Sequence, residues 1–385
     1  MTPVGWKSTT LDAASDPTAS IRYGVVQIGP HTPDGVPIVA IKFIRRIATA
    51  PLHRASQKIE GPYKNSRVQG GDVLLSVKGT IGEVGIVPLG FNGNIAREIA
   101  RIRPSKDVHA DYLAYQLHSS GTQVRIRALT VGTTRLEFSI AAVKKFKIPL
   151  PPLPEQRRIA EILGVWDLAI ATVEALIVNA TVQKRALMQS ILTGKNRLPG
   201  FSGVWMTAKL GNLCQISKGE QLGRLAMIDY GTVPVINGGI SASGYTDRAN
   251  APGGCITISE GGNSCGFVSL IDQPFWCGGH CYALKDPRVD KSFLFASLKH
   301  REAEIMTLRV GSGLPNIQKK ALSSFELLVP PREEQEAIGK CADVQSAAIQ
   351  GLENQLAALR QEKAALMQQL LTGKRRVKVE ANIDA

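Results

Sequence analysis

Apolar positions along this chain follow two rhythms. Over 155–193 and again over 334–372, apolar residues recur in alternating steps of four and three. The first set is Ile159, Leu163, Trp166, Ile170, Val173, Ile177 and Ala180, then Lys184, Leu187 and Ile191; the second is Ile338, Ala342, Gln345, Ile349, Leu352, Leu356 and Leu359, then Lys363, Leu366 and Leu370. A repeat of 3.5 residues is the coiled-coil period, so each stretch predicts a long helix with a narrow apolar seam. Prolines precede both helices, and Glu155 and Glu334 complement the dipole in the first turn. Gly194 and Gly373 stand where a left-handed cap favours glycine. A constant offset of 179 superimposes Phe146 on Phe325, "EQ" on "EQ", "ALMQ" on "ALMQ" and "LTGK" on "LTGK" without a gap. Matched seams of equal length predict that the two helices pair with each other rather than pack separately, each about 58 Å long at about 1.5 Å per residue; lying antiparallel, they would hold the intervening segments at opposite ends. Both put a lysine at the same seam position, a polar device that specifies register.

Between the helices the rhythm changes. Residues 1–150 and 200–329 carry short strand-like runs broken by glycine and proline, among them "GVPIVAIKFI", "GDVLLSVKG", "GEVGIVPLG", "TVPVIN" and "CITISEGGNSCGFVSLI". One helix is expected late in each, at 111–119 and 291–301. Trp6 and Leu11 rhyme with Trp205 and Leu210. The reading is an α+β fold with a pseudo-twofold internal repeat. Two domains of mixed α/β content (1–150 and 200–329) are separated by two long antiparallel coiled-coil helices (151–199, and 330–385 with a tail).

Charge adds a partner class. Across 385 residues, 46 Lys and Arg face 32 Asp and Glu, a net charge of +14. The excess lies mostly in residues 1–150, where 20 basic groups meet 10 acidic ones. Such a balance favours a polyanion. The opening "MTPVGWKSTT" lacks an export core and no stretch reaches the length of a membrane span, so a soluble, cytoplasmic protein without membrane contact is expected. The six cysteines all lie from Cys214 onward and are expected to be reduced and buried. "CGGHC" sets Cys277, His280 and Cys281 close together, with Cys255 and Cys265 as further candidate ligands. Its tight spacing in an apolar context reads as packed thiols, and no metal is expected.

Catalytic signatures are missing. No glycine-rich cofactor loop follows a strand, and the double prolines "LPPL" and "VPPR" lack the aromatic residue of an adenine methyltransferase motif. Gln189 and Gln368 stand where a phosphate-cradling loop ending in "TGK" needs glycine. "GTIGEVG" spaces Gly79, Gly82 and Gly85 for turns. No catalytic residue is assigned.

The block "IPLPPLPEQRRIAEIL" leading to "LTGK", its repeat "LVPPREEQEAI", and the stretches "VINGGISASGYTDRAN", "FWCGGHCYAL" and "GSGLPNIQKKALSSFELLVPPREEQ" together resemble the specificity subunit of type I restriction-modification systems. Residues 132–146 depart from the form that 311–325 show. The resemblance implies two target-recognition domains that each bind one half of a split double-stranded DNA site, with the helices setting the gap. It implies docking of two methyltransferase subunits, which modify adenine N6 with S-adenosylmethionine. It also implies restriction and translocase subunits using ATP and Mg where the system includes them, in defence against phage. On this resemblance the subunit itself is expected to be non-catalytic and to hold no cofactor. The alternative is a stand-alone DNA-binding regulator; a purely structural adaptor fits the charge of residues 1–150 poorly.

Basic and polar residues interleaved with turns are the candidate DNA contacts. In the first domain these are Lys42, Arg45, Arg46, Arg54, Lys58, Lys64, Asn65, Arg67 and Lys78. In the second they are Lys218, Arg224, Asn237, Ser241, Ser243, Tyr245 and Arg248.

Overall fold

The structure is a computed structural model that describes residues 3–132, 136–311 and 313–378. Residues 133–135 of the 132–146 stretch and the end of the tail lie outside the described residues. The chain divides into two compact units. One runs to Thr172 and resumes at Leu356; the other is Val173–Gln355. Each long helix therefore contributes to both units.

In the first unit, among the described residues, Lys7–Thr10 pairs antiparallel with Lys147–Leu150. A four-stranded antiparallel sheet has the order Arg22–Tyr23, Ile99–Ile102, Val73–Ser76, Val84–Ile86. A three-stranded sheet sets Val36–Val39 between His53–Ala55 and Asn94–Ile95, the last pair parallel. Val73–Ser76 and Ile99–Ile102 are buried at every position, so these runs lose the two-residue alternation of a half-exposed strand. Their core partners include Leu113 and Leu117 of the helix Ala110–His118, and Phe138 packed edge-on to Phe146 at 5.9 Å. A second helix, Ser120–Ala128, follows at once.

The second unit repeats the plan. Met206–Lys209 pairs with Glu326–Val329. Its four-stranded sheet has the order Gln215–Lys218, Cys281–Lys285, Cys255–Ser259, Val268–Ile271, and its three-stranded sheet the order Gly244–Thr246, Val233–Ile236, Trp276–Cys277. The helix Lys291–His300 is capped by Asp290, whose carboxylate accepts from the Phe293 amide at 2.8 Å.

The long helices are Leu153–Leu192, 40 residues, and Arg332–Leu370, 39 residues. The first begins two residues before Glu155 because Pro154 fits the opening turn, where its missing N–H would have no partner in any case. Gly194 (φ +70°) and Gly373 (φ +69°) take the left-handed conformation just beyond the two ends. In the first unit, Ile159 and Leu163 pack with Leu366, Leu370 and Leu371. There Asp167 meets Lys363 while Glu155 meets Arg376, so numbers rise on one segment as they fall on the other. The second unit packs Leu187, Met188 and Ile191 with Ile338 and Ala342. Every seam position named above, Trp166, Ile170, Val173, Ile177, Ile349, Leu352, Leu356 and Leu359 included, is buried or half-buried, whereas Val165, Leu168, Val178 and Val182 are exposed.

The seam lysines have different partners. Lys363 reaches Asp167 and lies over the Tyr115 ring at 5.1 Å. Lys184 donates to the Ser346 hydroxyl at 2.7 Å, and burial pulls its ammonium below the usual lysine range.

The repeated "EQ" ties each domain to its helix. Glu155 is buried, accepts from Trp6 Nε1 at 3.0 Å and binds Arg376 through both carboxylate oxygens at 2.7 and 2.9 Å. Glu334 is buried likewise, holding Trp205 Nε1 at 3.0 Å and Arg197 at 2.6 and 2.5 Å. The neighbouring amides bind loops. Gln156 accepts from His109 N and donates to Asp107 and Pro151 carbonyls; Gln335 accepts from Asp290 N and donates to Pro330.

Truncating a seam residue should cost far more than truncating an outward one. Leu163→Ala is expected to lower unfolding free energy by about 3 kcal/mol, and Leu168→Ala, 70 % exposed, by less than about 0.5 kcal/mol. Urea denaturation of the two variants checks this difference.

Candidate nucleic-acid interface

In the first unit the candidate contacts separate into groups. Lys42 and Arg46 flank Phe43, their charged groups 4.8 and 5.3 Å from its ring, and Arg45 pairs with Glu83 at 2.9 Å. Lys78 lies half-buried, 3.2 Å from Glu137 and 5.3 Å from the Tyr23 ring. Arg54 is half-buried with its Nε unpartnered, and Lys58 is exposed on the short helix Gln57–Glu60.

Lys64, Asn65 and Arg67 line one cleft of about 830 Å³. Arg67 is anchored there by two 2.7 Å bonds to the buried Glu60. That bond, with a second from the Asn94 amide, holds the Glu60 carboxyl below its usual range against the opposing effect of burial. Three arginines that the sequence reading passed over share the cleft: Arg22, Arg101 and Arg103. Arg103 forms a bidentate pair with the buried Asp72 at 2.7 and 2.8 Å. Burial, reinforced by Arg103, lowers the pKa of Arg101.

In the second unit Lys218 reaches Glu260 at 2.6 Å, and Tyr282 donates to the same carboxylate at 3.2 Å. Asn237 uses its carbonyl oxygen to accept from the His280 amide at 3.2 Å, so it holds the "CGGHC" turn in place. Arg224, Ser241, Ser243, Tyr245 and Arg248 are exposed, Arg248 lying 3.7 Å from Asp247. Leu225 and Tyr230, also passed over, stand fully exposed between Arg224 and the strand Val233–Ile236. The two units thus share a fold and present different side chains.

The family model for the type I restriction modification DNA specificity domain matches twice, over residues 25–180 and 203–359. The chain belongs to this family. Among its relatives, the EcoBI specificity subunit of Escherichia coli is 30 % identical over 197 residues, 49 % of this chain and 41 % of that protein, so the match takes in less than half of its length. The MjaVIII specificity subunit of Methanocaldococcus jannaschii is 24 % identical over 84 % of each chain. A crystal structure of a type I restriction-modification S subunit from M. genitalium superimposes with a TM-score of 0.66 at 18 % identity, covering 96 % of this chain and 99 % of that one. The fold is that of type I specificity subunits.

Within this specificity fold the cysteines sit in the core. Cys214, Cys255, Cys265, Cys277 and Cys281 are buried thiols, and Cys341 is half-buried. Burial pushes the Cys214 thiol up to about 12. Cys281 is raised chiefly by its hydrogen bond with Cys277, which correspondingly lowers Cys277. Among the described residues no group of three potential ligands is placed to hold a metal ion, and no helix is long and apolar enough to cross a membrane.

One signal in the sequence did point to the missed arginines. In "IARIRP", Arg101 and Arg103 are two apart, which puts them on one face of a strand. The partner Arg22 lies on a strand of two residues, too short for its own pattern to show.

Thiol reactivity follows from this burial. At pH 8 in the native protein, iodoacetamide is expected to label Cys341 well before Cys214 or Cys281, and all six after unfolding. Peptide mass spectrometry of timed samples reads the order.

Proposed function

We propose that this chain is the non-catalytic DNA-recognition subunit of a type I restriction-modification complex, with one half of a bipartite site bound by each unit. The observation that carries the proposal is the doubled fold: two units of the same topology, each clasped to a long helix, with unlike residues on matching strands. A scaffold kept constant under divergent surfaces suits two readers of different sequences. The long helices, about 60 Å each, act as the spacer. Phosphate contacts from Lys and Arg supply affinity, and side chains at base edges supply specificity.

Methyltransferase subunits carrying S-adenosylmethionine dock on the complex and methylate adenine N6. Nuclease and translocase subunits using ATP and Mg join where the system encodes them. The work is cytoplasmic and serves defence against phage.

Sequencing that detects modified adenines, in cells expressing the chain with its cognate methyltransferase, tests this reading. A split motif lost on deletion of the chain supports it. Methylation that persists without the chain favours a stand-alone regulator instead. Inserting four residues after Asn179 adds about 6 Å to one helix, and is expected to move the unread gap by about two base pairs. Unchanged spacing with full activity would remove the spacer role.

A further inference from the structure

The floor of the first unit's cleft holds more positive charge than its carboxylates neutralise. Arg22 and Arg101 stand directly opposite each other on neighbouring antiparallel strands. Like charges in that register repel, so the arrangement is unfavourable unless an anion lies between or above them. Arg101 is only 3 % exposed. Its two terminal nitrogens donate to carbonyls, those of Arg67 at 3.1 Å and Ser20 at 2.9 Å, which fix the guanidinium without neutralising it. Its Nε, like that of Arg22, is shielded from solvent and has no hydrogen-bond partner.

The local acids are already engaged. Glu60 pairs with Arg67 and Asp72 with Arg103. Asp16, which is near enough to act on Arg101, accepts from the Thr18 amide at 2.8 Å and the Thr18 hydroxyl at 2.7 Å. Among the described residues no ion pair or hydrogen bond claims the guanidinium of Arg22 or the ammonium of Lys64, which is exposed at the mouth of the cleft. A buried charge held this way costs free energy that is recovered only when a counter-charge arrives.

The second unit lacks this arrangement. In its four-stranded sheet the places of Arg22 and Arg101 are taken by Ser217 and Ala283, which are likewise paired across the strands. The fold does not need the two arginines. Their presence belongs to what the first unit binds.

We infer that this cleft is an anion site for one phosphodiester of the DNA backbone, with Arg22 and Lys64 donating to the phosphate and Arg101 supplying charge from beneath. The inference rests on the DNA-recognition reading above and adds to it where the backbone is gripped. A phosphate contact positions the duplex for the first unit without reading a base.

The test measures affinity of the full chain, assembled with its methyltransferase subunits, for a duplex carrying the mapped site across a series of salt concentrations. Arg22→Gln and Lys64→Gln are the variants, each checked for an unchanged thermal midpoint. Each is expected to weaken binding about tenfold, equally on duplexes with altered bases in the first half-site, and to make the slope of log K against log salt shallower by about one. Slopes equal to wild type in both folded variants would overturn the site. So would a loss confined to one base sequence, which would make Arg22 a base reader. Inorganic phosphate that raises the wild-type thermal midpoint but not that of Arg22→Gln, with DNA slopes unchanged, would assign the cleft to a free anion and overturn the backbone assignment. A wild-type complex that neither binds nor methylates DNA would remove the functional reading itself, an outcome separate from any of these.

Discussion

A buried carboxylate at the start of each long helix is the constraint on which the rest of the molecule depends. Glu155 and Glu334 would each be costly to bury alone. Each is held by a bidentate arginine and a tryptophan N–H, so its charge is neutralised and its acceptor sites are filled. The geometry has a consequence for the fold. Trp6 and Trp205 lie just ahead of the first strand of their units, so the same bond that satisfies the acid fixes where that strand enters relative to the helix. The adjacent Gln156 and Gln335 bind the backbone ahead of the next helix and close the other side of the joint.

From that joint the helices are held by a narrow seam rather than a broad apolar face. Heptad packing tolerates polar residues where they have partners, and the two seam lysines show two solutions. Lys363 has a carboxylate in Asp167; Lys184, at the matching position, donates to the Ser346 hydroxyl and feels the Asp343 carboxylate without, among the described residues, pairing with it. The seam is therefore pseudo-symmetric in position and asymmetric in charge. Exposed apolar residues such as Val165, Leu168, Val178 and Val182 lie off it and leave an outward face for other contacts.

The two units share a fold and differ in surface. Their cores repeat strand by strand, while the residues that face the clefts and loops differ. In the first unit arginines crowd one sheet face, and in the second the same places carry a serine and an alanine. Many charged candidates prove to be committed within the protein, Arg67 to Glu60, Lys218 to Glu260 and Arg45 to Glu83. Such pairs hold loops in shape, while in the cleft beside Arg67 the cations Arg22 and Lys64 have, among the described residues, no ion pair of their own.

The sequence by itself determined the doubled architecture, because heptad spacing, helix-ending glycines and a constant repeat offset are local patterns that survive without knowledge of contacts. It also marked the mixed strand and helix content of each domain and a basic balance that suits a polyanion, since net charge needs no geometry. What it did not carry was the fate of each polar side chain. That Asn237 is spent on the His280 amide, that Glu155 meets an arginine 221 residues away, and that Arg22 faces Arg101 across a sheet were decided only by tertiary structure. Pairing between distant segments selects which charges are neutralised, and that selection depends on register and burial, neither of which is a property of any short stretch of chain.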